Sequence, residues 1–233
     1  MNQPETNPDA AAHFYQGAAG HRYHEQKRGL RPGALPWVQQ LRADKFQPHV
    51  RANDTVCELG SGAGWNLARL QCTRRIGIEA AVFLKDDLTK LGIEFLEKIE
   101  SVPDASIDVG ICHHTLEHLV EPAAALRQFA RILKPGGRLI LHVPWERERH
   151  HAKFLPDEPN HHLYTWNAQN LGNLVTLLGY KTEHTAVKTY GYDRLAANLA
   201  DRWHLGERGY RLLRKILQTM RPLHEVEVIC RRD

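Results

Sequence analysis

The stretch Asp54-Thr-Val-Cys-Glu-Leu-Gly-Ser-Gly-Ala-Gly64-Trp-Asn constrains this chain more than any other. Residues 55–59 form a short apolar run that passes straight into glycines at 60, 62 and 64. Trp65, Leu67, Ala68 and Leu70 then have the spacing that opens a helix. A strand that enters alternating glycines and leaves as a helix brings backbone close to a ligand. The loop can take positive φ and carries no side chain in the way, and the first helical N–H groups face the ligand with the positive end of the dipole.

Two acids sharpen this reading. Glu58 closes the strand, and Glu79 ends a second strand-like run, Arg75-Ile-Gly-Ile-Glu79, about twenty residues later. A nucleotide-binding βαβ unit places there the carboxylate that grips ribose hydroxyls. A carboxylate just before the glycines repels a pyrophosphate but suits a ligand carrying an ammonium and a sulfonium, as S-adenosylmethionine (SAM) does. Here the sequence resembles the class I SAM-dependent methyltransferases (methyltransferase type 11-like domain), with Glu58-Leu-Gly-Ser-Gly-Ala-Gly64 as their first motif. A second block, Asp108-Val-Gly-Ile-Cys112 with Leu116-Glu-His118 and Lys134-Pro-Gly-Gly137, is similar to the same class, so the resemblance covers residues 54 to about 145.

The spacing predicts strands at 93–96, 106–112, 138–144, 181–187 and 225–230 besides the first two, with helices at 82–90, from Pro122, and from Asn167 onward. Strands alternating with helices imply an α/β fold, a doubly wound, mostly parallel seven-stranded sheet with helices on both faces. Residues 1–50 read as an N-terminal cover segment and helix. Residues 51–233 read as the methyltransferase domain, with a helical insert at about 189–222. In the class it resembles, the chain before the first strand often folds over the cofactor, which implies Tyr23, His24 or Lys27 as a contact for the methionine carboxylate.

The resemblance implies a cofactor site built from Glu58, Gly60, Ser61, Gly62, Gly64, Glu79 and Ala80, with Cys112 and His113 at the end of strand four. The class commonly has an Asp after strand three. Lys98 stands there, so the adenine contacts fall to the backbone of Lys98 and Ile99. Strand four ends at the reaction centre in this class, which implies His114 and Glu117 beside the methyl group. The crevice rule for open α/β sheets brings the loop carrying His161, His162 and Tyr164 to the same opening. His114 and His162 are the candidate general bases, with Glu117 as a third catalytic candidate. His161, Tyr164 and Asp193 are the candidate acceptor contacts. The acceptor expected is a small or medium polar molecule methylated on a hydroxyl, a saccharide or secondary metabolite.

Two other chemistries are legible. His114-Thr-Leu-Glu-His118 matches H-x-x-E-H, the pattern of inverted zinc peptidases, which requires both histidines on one helix. Arg208, Arg211, Arg214, Lys215 and Arg221 can track RNA phosphates, while Leu213, Ile216, Leu217 and Met220 have core spacing on the same helix. A formal net charge of +4 is too small to argue for nucleic acid. The four cysteines lack C-x-x-C spacing, so buried reduced thiols are expected and no metal is assigned. No apolar run is long enough for a membrane span, and the first residues lack a signal pattern, so a cytoplasmic protein is expected.

Overall fold

The computed structural model describes residues 15–145 and 160–233. Apolar runs rich in Val and Ile become five parallel strands: β1 (Thr55–Leu59), β2 (Arg74–Ile78), β3 (Glu94–Leu96), β4 (Ile107–His113) and β5 (Leu133–Pro144). Two longer strands, β6 (Tyr180–Tyr190) and β7 (Leu223–Arg232), add an antiparallel edge, giving the order β3-β2-β1-β4-β5-β7-β6. The chain winds outward from β1 to β3 and then returns to the other side of β1 as β4. That reversal opens a crevice beyond the C-terminal ends of β1 and β4.

Alternation along the strands divides the core in two. Cys57, Leu139, Leu141 and Val143 pack under α4 (Pro122–Ile132) and α5 (Ala168–Leu177), through Leu126, Phe129, Leu171 and Val175. Val56, Val109, Ile111, Ile140 and Ile229 face α2 (Leu35–Phe46), through Phe46, and α3 (Lys85–Lys90) with the turn before it, through Leu88 and Leu84. Each such side chain, fully buried, contributes about 1.5–3 kcal/mol. Pro122 opens α4 at its first turn, and Asn167 and Asn170 close a reciprocal capping box on α5.

A third apolar cluster joins chain segments far apart in sequence. Val38 of α2 and Ala34 just before it pack on Ala196, Ala197 and Ala200 of α6 (Asp193–Arg202) and on Tyr210 of α7 (Gly206–Met220). The helix α2 and the pair inserted between β6 and β7 thus meet beside the crevice, whose wall also takes in His24 of α1 (Gly17–Arg28). The side chains of Tyr23 and Lys27 lie outside what the structure describes.

Three local expectations are corrected. Residues 65–70 form successive turns, with Ala68 N–H to Gly64 O as a single helical bond, and no helix follows the glycine loop. Only residues 60–73 join β1 to β2, and the glycine turn consumes the length a helix needs. The helix expected over 82–90 is a tight turn at Val82–Leu84 followed by α3. On α7, Leu213 and Leu217 pack inward, but Ile216 and Met220 are exposed. Among the described residues no helix is long and apolar enough to cross a membrane. All four cysteines are free thiols, three of them buried in strands.

Candidate functional site

The crevice is a cavity of about 1480 Å³. Single small-ligand pockets occupy roughly 300–1,000 Å³, so there is room for a cofactor and an acceptor together.

The glycine loop forms one wall of the cavity. Gly60 and Ser61 donate N–H bonds to Ile78 O at 2.8 and 3.3 Å, folding the loop against β2. Gly60 has φ +71°, and a Cβ there would strike the Thr115 side chain at 2.2 Å. Gly62 has φ +52°, and a Cβ there would meet nothing within 4 Å, standing in open space at the cavity wall. Glu79 secures the loop: Oε2 accepts from Gly62 N at 2.8 Å and Oε1 from Ala81 N at 2.9 Å. Burial raises its carboxyl above the ordinary range, against the pull of those backbone bonds. Ser61 lines the cavity too, and its buried Oγ has no hydrogen-bond partner among the described residues. Ala80, Lys98 and Ile99 continue the wall from the ends of β2 and β3.

Glu58 is placed differently from the sequence expectation. It lies beneath the loop, 1% exposed and off the cavity wall, accepting from Asn66 Nδ2 at 2.5 Å. Burial pushes its carboxyl up to about 8, although Asn66 favours the charged form. A mostly neutral acid behind the loop supports the turn and does not present a charge to an ammonium. Gly64 and Cys112 are also off the cavity, and burial raises the Cys112 thiol well above its usual range.

Beyond β4 the chain turns through His114 at φ +52°, and His114 N–H bonds His142 O at 2.8 Å. This turn delivers His113 and His114 to the cavity. They meet Glu225 of β7, 2% exposed, and Lys45 of α2. Lys45 Nζ donates to Glu225 Oε1 at 2.6 Å and lies 3.0 Å from His113 Nε2. His114 Nε2 lies 3.0 Å from Glu225 Oε2. An ammonium only donates and a carboxylate only accepts, so the network assigns the tautomers. His113 Nε2 accepts from Lys45, and His114 Nε2 carries the proton given to Glu225. His114 Nδ1 then keeps its lone pair. Burial depresses both imidazoles, His113 well below the usual range and His114 less, with Glu225 opposing. Burial alone would raise the Glu225 carboxyl, but His114, His142 and Lys45 together hold it well below the carboxylate range.

Across the cavity, Asp193 accepts from Arg214 Nε at 2.7 Å and lies 3.4 Å from Arg42 Nε, while Arg42 covers the Trp65 ring. Arg211 bonds Asp44 and Glu207. Two of the arginines expected to track RNA phosphates are thus committed to carboxylates.

The remaining candidates lie off the cavity. Glu117 is 1% exposed and off the cavity, and its backbone O accepts from Leu163 N at 2.8 Å. The His162 ring packs edge-on to His118 at 4.7 Å, His161 sits in a left-handed turn, and neither lines the cavity. Tyr164 donates to Val120 O at 2.8 Å on the outer side. The loop at 160–166 therefore braces the turn after β4 from outside and does not face the opening. His118 does reach the cavity wall, where its Nδ1 meets Tyr15 Oη at 2.8 Å.

The H-x-x-E-H geometry is not met either. His114 precedes a short turn at Leu116–His118 and points to Glu225, while His118 points to Tyr15. Ligand atoms do approach within 4.8 Å in His113–His114–Glu225 and in Glu117–His118–His162. In the first group the Lys45 ammonium already stands where a cation would. Lys45, Arg42 and Glu225 escaped sequence reading, and Arg214 was read there only as a contact for RNA phosphates. Glu225 was detectable as one of two acids at alternate positions, Glu225 and Glu227, in the otherwise apolar run 225–230.

A five-stranded parallel core closed by an antiparallel pair, with a glycine loop after β1 and an acid after β2, defines the class I SAM-dependent methyltransferase architecture. A family model described as a methyltransferase domain matches residues 24–185, and the chain belongs to that family. A probable S-adenosylmethionine-dependent methyltransferase of Mycobacterium tuberculosis is 26% identical over 148 residues, covering 60% of this chain and 53% of that protein. A ubiquinone biosynthesis O-methyltransferase of Xanthomonas oryzae is 30% identical over 105 residues, covering 39% and 43%. The matches thus span about half the length of these curated relatives. Among solved structures, Burkholderia thailandensis 1,6-didemethyltoxoflavin-N1-methyltransferase, bound to its substrate and S-adenosylhomocysteine, superposes with a TM-score of 0.64. It is 14% identical, with 100% of this chain and 93% of that one covered, a likeness of fold. SAM is the cofactor of this family, and the site fits it: open space at Gly62, the unpartnered Ser61 hydroxyl and the Glu79 carboxyl converge on one wall.

Proposed function

We propose that the protein transfers a methyl group from SAM to a hydroxyl of a small or medium polar acceptor, with His114 as the general base and Glu225 orienting it. The observation that carries this reading is the 3.0 Å contact from His114 Nε2 to Glu225 Oε2 at the cavity wall. SAM supplies an activated methyl on a sulfonium, so the chain's own task is to hold, orient and exclude water. The glycine loop, Glu79, Lys98 and Ile99 hold the cofactor, and Asp193 with its two arginines lines the acceptor's side. His114 takes the hydroxyl proton, and Lys45, bonded to Glu225, keeps the orienting carboxylate charged. The O-methyltransferase among the relatives supports a hydroxyl acceptor. Saccharides and phenolic secondary metabolites offer such hydroxyls.

Because burial depresses His114, the base is already neutral at pH 7. Activity should therefore rise with pH through a midpoint below the ordinary histidine value of 6.5 and stay flat above it. The test is a screen of sugars and phenols with labelled SAM, followed by His114→Gln on any acceptor found. Loss of about 10²-fold or more in kcat with unchanged SAM affinity supports the assignment. Full activity in the variant rejects it.

A further inference from the structure

Helix α7 carries a wider apolar arc than the fold covers. Tyr210, Leu213 and Leu217 pack inward with residues of α2 and α6. Beside that covered stripe runs a second one, Leu212, Ile216 and Met220, recurring every four residues on the outer side. Leu212 is 60% exposed and Met220 78%, so these are surface side chains and not loosely packed core. The turn that enters α7 adds Trp203 and Leu205, each about half exposed. Leu205 stands seven residues before Leu212 and so begins the same stripe.

The charge around this stripe has one sign. From Arg202 to Leu223 the chain has six Lys and Arg residues and a single acid, Glu207, which holds Arg211 at 2.7 Å. Arg214 is committed in the same way to Asp193. The other four, Arg202, Arg208, Lys215 and Arg221, are exposed and form no ion pair among the described residues. Arg208 and Lys215, four before and three after Leu212, edge the apolar stripe on the side away from Ile216 and Met220. Long basic side chains in that position lay their stems on apolar surface and hold their charge outward.

This pairing of an exposed apolar stripe with unmatched cations selects among occupants. A second copy of the chain suits it poorly. A two-fold contact would set these cations against their own copies, with no free acid to answer them. RNA would meet the charges but leave Leu212, Ile216 and Met220 in water. An anionic bilayer meets both, since its phosphates take the cations and its acyl boundary takes the stripe.

We propose that α7 docks the protein on the surface of an anionic phospholipid bilayer, lying in the headgroup plane with Leu205, Leu212, Ile216 and Met220 inserted. The contact is peripheral and needs no spanning helix. The end of α7 is tied to the crevice. Tyr192 Oη donates to Arg221 O at 2.7 Å, Arg214 donates to Asp193, and Tyr192, Asp193 and Arg214 all line the cavity. Docking through α7 therefore holds one rim of the crevice at the bilayer surface. None of this depends on which residue acts as base.

Vesicle flotation of the full chain, without SAM or acceptor, tests the proposal. Vesicles of phosphatidylcholine alone are compared with vesicles containing about one-third phosphatidylglycerol. The expected result is binding at least about tenfold tighter to the anionic vesicles, weakening as salt rises. Ile216→Gln with Met220→Gln should lower that binding by about tenfold or more. Both side chains are exposed, so the thermal melt and SAM affinity should not change. Arg208→Gln with Lys215→Gln should remove most of the preference for anionic vesicles. Equal binding to the two compositions, or binding to neither, overturns the proposal. Anionic-vesicle binding that survives loss of Ile216 and Met220 also overturns it, because the contact then lies elsewhere. Sedimentation without lipid reads the other occupants. A dimer dissolved by the Ile216 and Met220 substitutions, or RNA bound more tightly than anionic vesicles, gives the face to that occupant and rejects the bilayer.

Discussion

Replacing Glu225 by Gln tests whether one buried carboxylate holds the reaction centre together. Glu225 is 2% exposed and receives Lys45 at 2.6 Å and His114 at 3.0 Å. Gln keeps the shape and one acceptor but removes the charge, leaving Lys45 facing no anion there. Breaking a buried pair by removing one partner costs about 3–5 kcal/mol. Lys45 keeps 24% of its side-chain exposure and can draw water from the cavity, so the lower figure, about 3 kcal/mol, is expected. With a urea slope near 3 kcal/mol/M for a chain of this size, the unfolding midpoint should fall by about 1 M at pH 7.5. Lys45→Met on top of Glu225→Gln should recover part of that loss, since no unpaired charge then remains. The pH dependence has a definite sign. Glu225 is held well below the carboxylate range in the fold, so its contribution is present above the unfolded value of about 4.3. It is lost as pH falls further, and the gap between wild type and variant should narrow in acid. A loss under about 1 kcal/mol at pH 7.5, the range of an exposed pair, would refute the reasoning.

Other perturbations separate the two walls of the cavity. Glu79→Ala should weaken SAM binding by about 2 kcal/mol or more, roughly 30-fold, measured by calorimetry. It should also cost about 1–3 kcal/mol of stability, because the N–H groups of Gly62 and Ala81 lose their acceptor. Unchanged affinity would show that the ribose hydroxyls are held elsewhere. Gly62→Val should abolish SAM binding, since its side chain fills open space at the wall and strains a backbone at φ +52°; tight binding by the variant would remove the loop from the site. Glu58→Gln should stabilise the protein at pH 7–8. The fold raises that carboxyl from 4.5 to about 8, so wild-type stability falls as pH rises across that window. At about 1.4 kcal/mol per unit the ceiling is about 5 kcal/mol. Thermal melts at pH 4.5 and 8 check it, and equal differences at both would contradict a buried neutral acid.

The sheet was legible because its signals are local. Apolar runs at 55–59 and 107–113 are bounded by turn residues, and the glycines and acids recur at spacings a crossover imposes. The cavity's glycine wall was legible for the same reason. What escaped is non-local. Lys45 and Glu225 meet across 180 residues, and nothing in either neighbourhood announces the pair. Strand alternation by itself assigns Glu225 and Glu227 to solvent, and only the cover by α2 through Phe46 turns that face inward. The loop at 160–166 was misplaced because the crevice rule says which end of the sheet it joins, not which side of the β4 turn it packs on. The absent helix after Gly64 was a matter of length, since the pattern of Trp65, Leu67 and Leu70 fits consecutive turns as well as a helix.

The most direct test of the account is calorimetric titration of purified, ligand-free protein with SAM, alongside S-adenosylhomocysteine and NAD. The account predicts saturable binding of both SAM-related ligands at one site per chain, lost in Gly62→Val, and no heat from NAD. Folded protein that binds neither SAM nor S-adenosylhomocysteine would contradict it.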